Sequence, residues 1–223
     1  MATIVEPTST QQTPAPTETP STPARRAPSA RALLIGAGVI AAIALGAWMI
    51  TSSNSRKEEF AARSLMQARS AALNGNLPMA SSELQKLIDT YRGTDAAREA
   101  VISLNQIRMI NGQSELAAVN LREFLATNPA PRYAAPAEGL LAAALENAGK
   151  PAEAADAFKR AAEAATVSYL KAEYLVDAGR AYRNAGKIAE AQAAYREVIE
   201  KYDATTSVTE ARVRLSELTG GKV

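Results

Sequence analysis

Leu175–Tyr202 reads LVDAGRAYRNAGKIAEAQAAYREVIEKY. Two stretches rich in good helix formers flank Gly186, which falls where the end of one helix requires a positive φ that glycine adopts without steric cost. Ala191 lies five residues beyond the glycine, and Tyr195 and Ile199 follow at four-residue steps. The spacing predicts a helical hairpin whose second helix passes close to the first at an alanine and carries an apolar stripe from there.

Working outward, the same pattern recurs. Gly75, Gly112, Gly149 and Gly186 stand 37 residues apart, as do Ala80, Ala117, Ala154 and Ala191. Leu84, Leu121, Phe158 and Tyr195 keep that interval, and so do Ile88, Leu125, Ala162 and Ile199. A hairpin of this kind cannot bury its stripe alone, so stacked neighbours must complete the core. The chain is therefore expected to be all-α, with four 37-residue units over residues 56–218. Ser207-x-x-Glu210 has the form of a capping box that opens a final, capping helix through Leu218. Ser55-x-x-Glu58 has the same form and predicts that the first solenoid helix starts afresh there. Asn76, Thr94 and Ser114 are candidate N-caps, and Pro151 suits the first turn of its helix.

Gly179, Tyr182, Gly186, Ala191 and Tyr195 stand at the spacings of a tetratricopeptide repeat (TPR), and this unit resembles that family. Gly149, Ala154, Phe158 and Ala161 carry the same resemblance in the third unit. The first two units keep the glycine and alanine, but the second has Asn105 at the small position of the first helix. The familiar TPR period is 34 residues, so three extra residues must lengthen helices or connections.

Residues 32–50, ALLIGAGVIAAIALGAWMI, hold no charge. Nineteen helical residues span about 28 Å, close to the hydrocarbon thickness of a bilayer. Arg31 bounds one end, Trp48 lies where an interfacial aromatic sits, and no small-x-small cleavage site follows, so the expectation is an uncleaved transmembrane anchor. Three basic residues precede the span and three follow it (Arg56, Lys57, Arg63). The N-terminal amine and Arg31 tip the balance toward an N-terminus inside and a C-terminal domain outside the cytoplasm. Gly38, Ala42 and Gly46 form a small-xxx-small row, a pattern alanine-rich spans also show by chance. Residues 1–31 contain six of the eleven prolines among Thr, Ser and Ala, too few apolar groups to offset ordering entropy, and read as a disordered tail.

Composition excludes several functions. The 223 residues contain neither cysteine nor histidine, which removes disulfides, thiol nucleophiles, Cys/His zinc sites and imidazole acid–base chemistry. Three of the 25 basic residues and two of the 23 acidic ones precede position 55, which leaves 22 against 21 in the rest, so no nucleic-acid partner is implied. Glu138, Glu146 and Glu153 recur among basic neighbours on helical faces. No phosphate loop or metal spacing accompanies them, and the expectation is a non-enzyme without cofactor or metal.

A tail, one anchor and a small domain of 37-residue TPR units are together similar to the bacterial YfgM-like ancillary subunits of the Sec translocon. That resemblance implies an inner-membrane protein with a periplasmic TPR domain that works with the Sec translocon, periplasmic chaperones or exported clients. A scaffold for envelope assembly or cell division is the alternative. TPR solenoids bind in a groove lined by the first helix of each hairpin. With the turn glycine as position 15, groove positions 2, 5, 9, 12 and 13 give Leu65, Arg69 and Leu73 in the first unit. The second unit gives Glu99, Ile102, Gln106, Met109 and Ile110, and the third Ala143, Glu146 and Asn147. The fourth gives Glu173, Val176, Arg180, Arg183 and Asn184. Leu65, Ile102, Met109 and Ile110 make either an apolar binding strip or core. Arg180 and Arg183, beside Asn184, make either a carboxylate site or a solvated face.

Overall fold

The computed structural model describes residues 30–221, with side chains for residue 40, residues 42–49 and residue 52 onward. Every regular element among them is an α-helix: α1 Ala30–Leu73, α2 Leu77–Thr90, α3 Asp95–Ile110, α4 Ser114–Ala126, α5 Pro131–Asn147, α6 Pro151–Ala164, α7 Ser168–Asn184, α8 Ile188–Lys201 and α9 Ser207–Thr219. The chain divides into two compact units, residues 1–49 and 50–223.

In the second unit the four turns are built alike. Gly75, Gly112, Gly149 and Gly186 have φ between +73° and +77°. At each, the residue after the glycine donates its N–H back to a carbonyl five residues earlier: Asn76 to Ala71, Gln113 to Arg108, Lys150 to Leu145 and Lys187 to Tyr182, at 2.8–2.9 Å. This 6→1 bond satisfies a carbonyl that the helix end leaves orphaned, and it reverses the chain. From α2 onward each helix packs on the next, and α3 also touches α5 while α7 touches α9. The result is a stack of hairpins closed by α9.

The alanine column lies in the core of the stack: Ala80, Ala117, Ala154 and Ala191 are fully buried. Leu84, Leu121, Phe158 and Tyr195 are buried beside them, while Ile88, Leu125 and Ile199 are half-buried at the edge. Gly179 shows why its position is small, since a Cβ there would lie 2.5 Å from the ring of Tyr195 across the hairpin.

The helix starts differ in part from expectation. Asn76 and Thr94 do cap, accepting the N–H groups of Met79 and Ala97. Ser114 and Ser207 do not: each is the first helical residue, behind Gln113 and Thr206, and neither of those caps makes a side-chain bond. Nor does a new helix begin at Ser55. Residues 51–60 hold no glycine or proline to interrupt α1, so Ser55 lies inside it. Glu58 serves another helix, its carboxylate accepting the N–H groups of Asp95 and Ala96 at 3.0 Å each.

Of the expected tail, residues 1–31, residues 1–29 lie outside the described residues; the expected anchor, residues 32–50, lies within α1, with its side chains described at residue 40 and residues 42–49. No helix among the described residues is long and apolar enough to cross a membrane. Ile40 and every residue from Ala42 to Met49 are exposed on α1.

Candidate functional site

The first helices of the first three hairpins, α1, α3 and α5, line two clefts that join. One, of about 420 Å³, has an apolar floor of Ala68, Leu77, Leu84 and Ile107, with Leu73 and Ile110 at its rim. Leu73 and Ile110 are 88% and 70% exposed, which is far from a core environment. The other, of about 440 Å³, is lined by Glu99, Ile102, Arg132, Tyr133 and Pro136 among others. Arg69, Ser103 and Gln106 border both, which makes one continuous groove.

Its polar end is internally neutralised. Arg69 pairs with Glu99 at 2.7 Å. Arg132 pairs with Asp95, which also accepts from Arg98 at 2.8 Å. Burial opposes ionisation of Asp95, but hydrogen bonds from Arg132 and Tyr133, with the Arg132 charge, outweigh it and hold the carboxyl below its ordinary range. The guanidinium of Arg132 lies 4.7 Å over the Tyr133 ring, and that of Arg98 lies 5.9 Å from it. A ligand here meets a charge-balanced surface, which suits hydrogen bonding to a peptide backbone more than capture of a net charge.

The structure gathers Arg69, Glu99, Ile102, Gln106, Leu73 and Ile110 around this groove and sends other predicted residues elsewhere. Leu65 is core rather than groove: it is buried with Leu84 and Leu87, because α2 and α3 close over that face of α1. Val176 is core for the same reason in the fourth hairpin. Ile102 and Met109 are half-buried, packed against the core of the later hairpins.

Arg180 is no open carboxylate site. Glu146 holds it at 2.7 Å and Asp177 at 3.0 Å, so its fork is already occupied. Arg183 reaches Glu217 on α9 at 3.6 Å. Asn147, Glu173 and Asn184 are exposed.

Asp95, Arg132 and Tyr133 escaped the position rule because they open their helices, whereas Pro136 stands at position 2 of the third unit. A signal was present. Glu58, Asp95 and Arg132 form another 37-residue column, of charged residues, and in the fold each member touches the next.

Stacked helical hairpins with a continuous groove along their first helices define a protein-interaction solenoid. The chain belongs to the tetratricopeptide repeat-like domain family, whose model matches residues 29–220. No curated protein matches it. Among solved structures it is similar to MamA, at 20% identity over 74% of this chain and 83% of that one, with a TM-score of 0.58. A Podospora anserina protein described as a kinesin light chain, with nearly identical TPR-like repeats, is 19% identical over 72% and 87%, with a TM-score of 0.57. These likenesses show the fold, and TPR domains bind protein partners.

Proposed function

We propose that this chain is a membrane-anchored TPR scaffold that holds segments of partner proteins in the groove of its first three hairpins, in support of Sec-dependent export or periplasmic chaperoning. The observation that carries the binding reading is the exposed pair Leu73 and Ile110 at the rim of the apolar cleft. Leaving large aliphatic groups in water forgoes about 1.5–3 kcal/mol each, which a bound apolar side chain recovers. The anchor reading is supported by α1, where apolar residues from Ala42 to Met49 are exposed around the whole helix, an arrangement suited to lipid. The family match begins at residue 29 and takes in this stretch.

The test is site-specific photo-cross-linking from Gln106 in cells. Leu73→Glu with Ile110→Glu should weaken capture of exported clients and leave the melting temperature nearly unchanged, since both side chains are already in solvent. Ile102→Glu with Met109→Glu should instead lower the melting temperature, because both pack on the core. Undiminished capture by a well-folded Leu73→Glu/Ile110→Glu protein would sink the groove reading. Capture of wall-synthesis or division proteins in place of export components would move the role to envelope assembly.

A further inference from the structure

The hairpins do not share one core. Buried apolar residues of α1, α2 and α3 form one cluster, around Leu65, Leu84, Leu87 and Leu104. Those of α4 to α9 form another, around Leu121, Leu141, Phe158 and Tyr195. The division falls inside the second hairpin, between α3 and α4. Elsewhere the first-helix residue that faces its hairpin partner at this level is Ala68, Ala142 or Gly179. In the second hairpin it is Asn105, which is buried to 1% exposure.

The Asn105 amide does not tie the two helices together. Its Nδ2 donates to the Val101 carbonyl at 2.9 Å, and its Oδ1 accepts from Arg108 at 3.1 Å, both within α3. On α4, Ser114 is buried and the Nδ2 of Asn120 is buried without a hydrogen-bond partner. The Asn105 amide is satisfied within α3 and so adds no bond across to α4, while the Asn120 Nδ2 loses its hydration with no bond in return. α3 retains Ile102 and Met109, both part-exposed, on the larger cluster. On the groove side, the Arg132–Asp95 ion pair and the Arg98–Tyr133 ring contact span the division. Contacts between part-exposed charges are weak and yield to salt.

We propose that the solenoid is two blocks, residues 52–110 and α4 to α9, which open against each other at the α3/α4 seam with Arg132–Asp95 as the clasp. The charge-balanced cleft takes Arg69 and Gln106 from one block and Arg132 and Pro136 from the other, so its width changes with the opening. The apolar cleft at Leu73 and Ile110 draws on the first block alone and keeps its shape. The opening is a property of the fold and stands whether or not the groove ligand is an exported client.

Hydrogen exchange of the full chain, read by peptide mass spectrometry, tests this. Amides of residues 61–110 should exchange as a group about tenfold faster than those of α6 to α8. Asn105→Ala, the residue present in the first and third hairpins, should slow that group toward the α6–α8 rate and leave α6–α8 unmoved. Equal protection in both blocks of the wild type would overturn the proposal, as would an Asn105→Ala chain in which the difference persists. A second readout needs no change in the seam. Spin labels at Gln67→Cys and Glu163→Cys, one per block in a chain without native cysteine, should give a broad distance distribution that widens further in molar salt. A single narrow distribution, indifferent to salt, would refute the hinge.

Discussion

At Gly179 the backbone of α7 runs so close to α8 that a methyl group would meet a fully buried ring, 2.5 Å from Cε1 of Tyr195. At Gly139 the obstacle is Tyr174 at 2.7 Å, which is only half-buried and can swing aside. Gly179→Ala should therefore destabilise by about 1–3 kcal/mol and Gly139→Ala by clearly less, a ranking that denaturant melts of the two variants would check. Tyr182 carries a pH signature. Burial first, then the hydrogen bond its hydroxyl donates to Asp156 at 2.7 Å, push the phenol from its ordinary 10.0 up to about 12. The fold favours the neutral phenol, so its stabilising share is whole below pH 10 and is lost as pH rises through about 12. Stability measured against pH should fall across that window, and Tyr182→Phe should flatten the fall. A Tyr182→Phe profile as steep as the wild type would assign the alkaline transition to other groups.

At the scale of the element, the helices repeat because their turns repeat, while their starts are individual. Glycines at a fixed interval, each with positive φ and a 6→1 bond, were legible from spacing alone, since local backbone sterics decide them. The N-termini were less legible. Ser55 and Glu58 have the form of a capping box, yet α1 passes through them and Glu58 caps α3, 37 residues away. A capping box is a local pattern, and a carboxylate brought near by stacking competes for the same role. Glu58→Ala removes both bonds to the α3 N-terminus and should lower stability by about 1–2 kcal/mol, whereas Glu58→Gln, which keeps an acceptor, should lose less. Equal melting temperatures for Glu58→Ala and the wild type would show that water replaces the carboxylate without loss. In the alanine column, Ala154→Leu and Ala191→Leu should each force a hairpin apart, at about 1–3 kcal/mol. Calorimetry reads this directly, and unchanged transitions would remove the alanines from the helix contact.

At the scale of the whole molecule, the orientation proposed for the chain rests on few charges. Arg25, Arg26 and Arg31 precede the apolar run, Arg56, Lys57 and Arg63 follow it, and the N-terminal amine adds to the first group. A reporter active only after export, fused at Val223, should be active. Activity of a cytoplasm-only reporter at the same site would overturn the proposed orientation and with it the proposed export role.

Periodicity by itself determined the all-helical repeat, its four units and the glycine and alanine columns, because these follow from steric demands that recur with each copy. The groove was legible in part. Arg69, Ile102 and Gln106 lie where their positions put them, since helix geometry sets the face a residue presents. Only the tertiary structure decided which of those faces reach solvent. Leu65 and Leu73 are both groove positions of α1, but α2 and α3 cover the first and leave the second exposed. Stacking likewise chose the partners of the charges, closing Arg180 onto Glu146 and joining Arg132 to Asp95. Those pairs lie 34 and 37 residues apart, and only packing brings side chains so far along the chain within an ion pair's few ångströms.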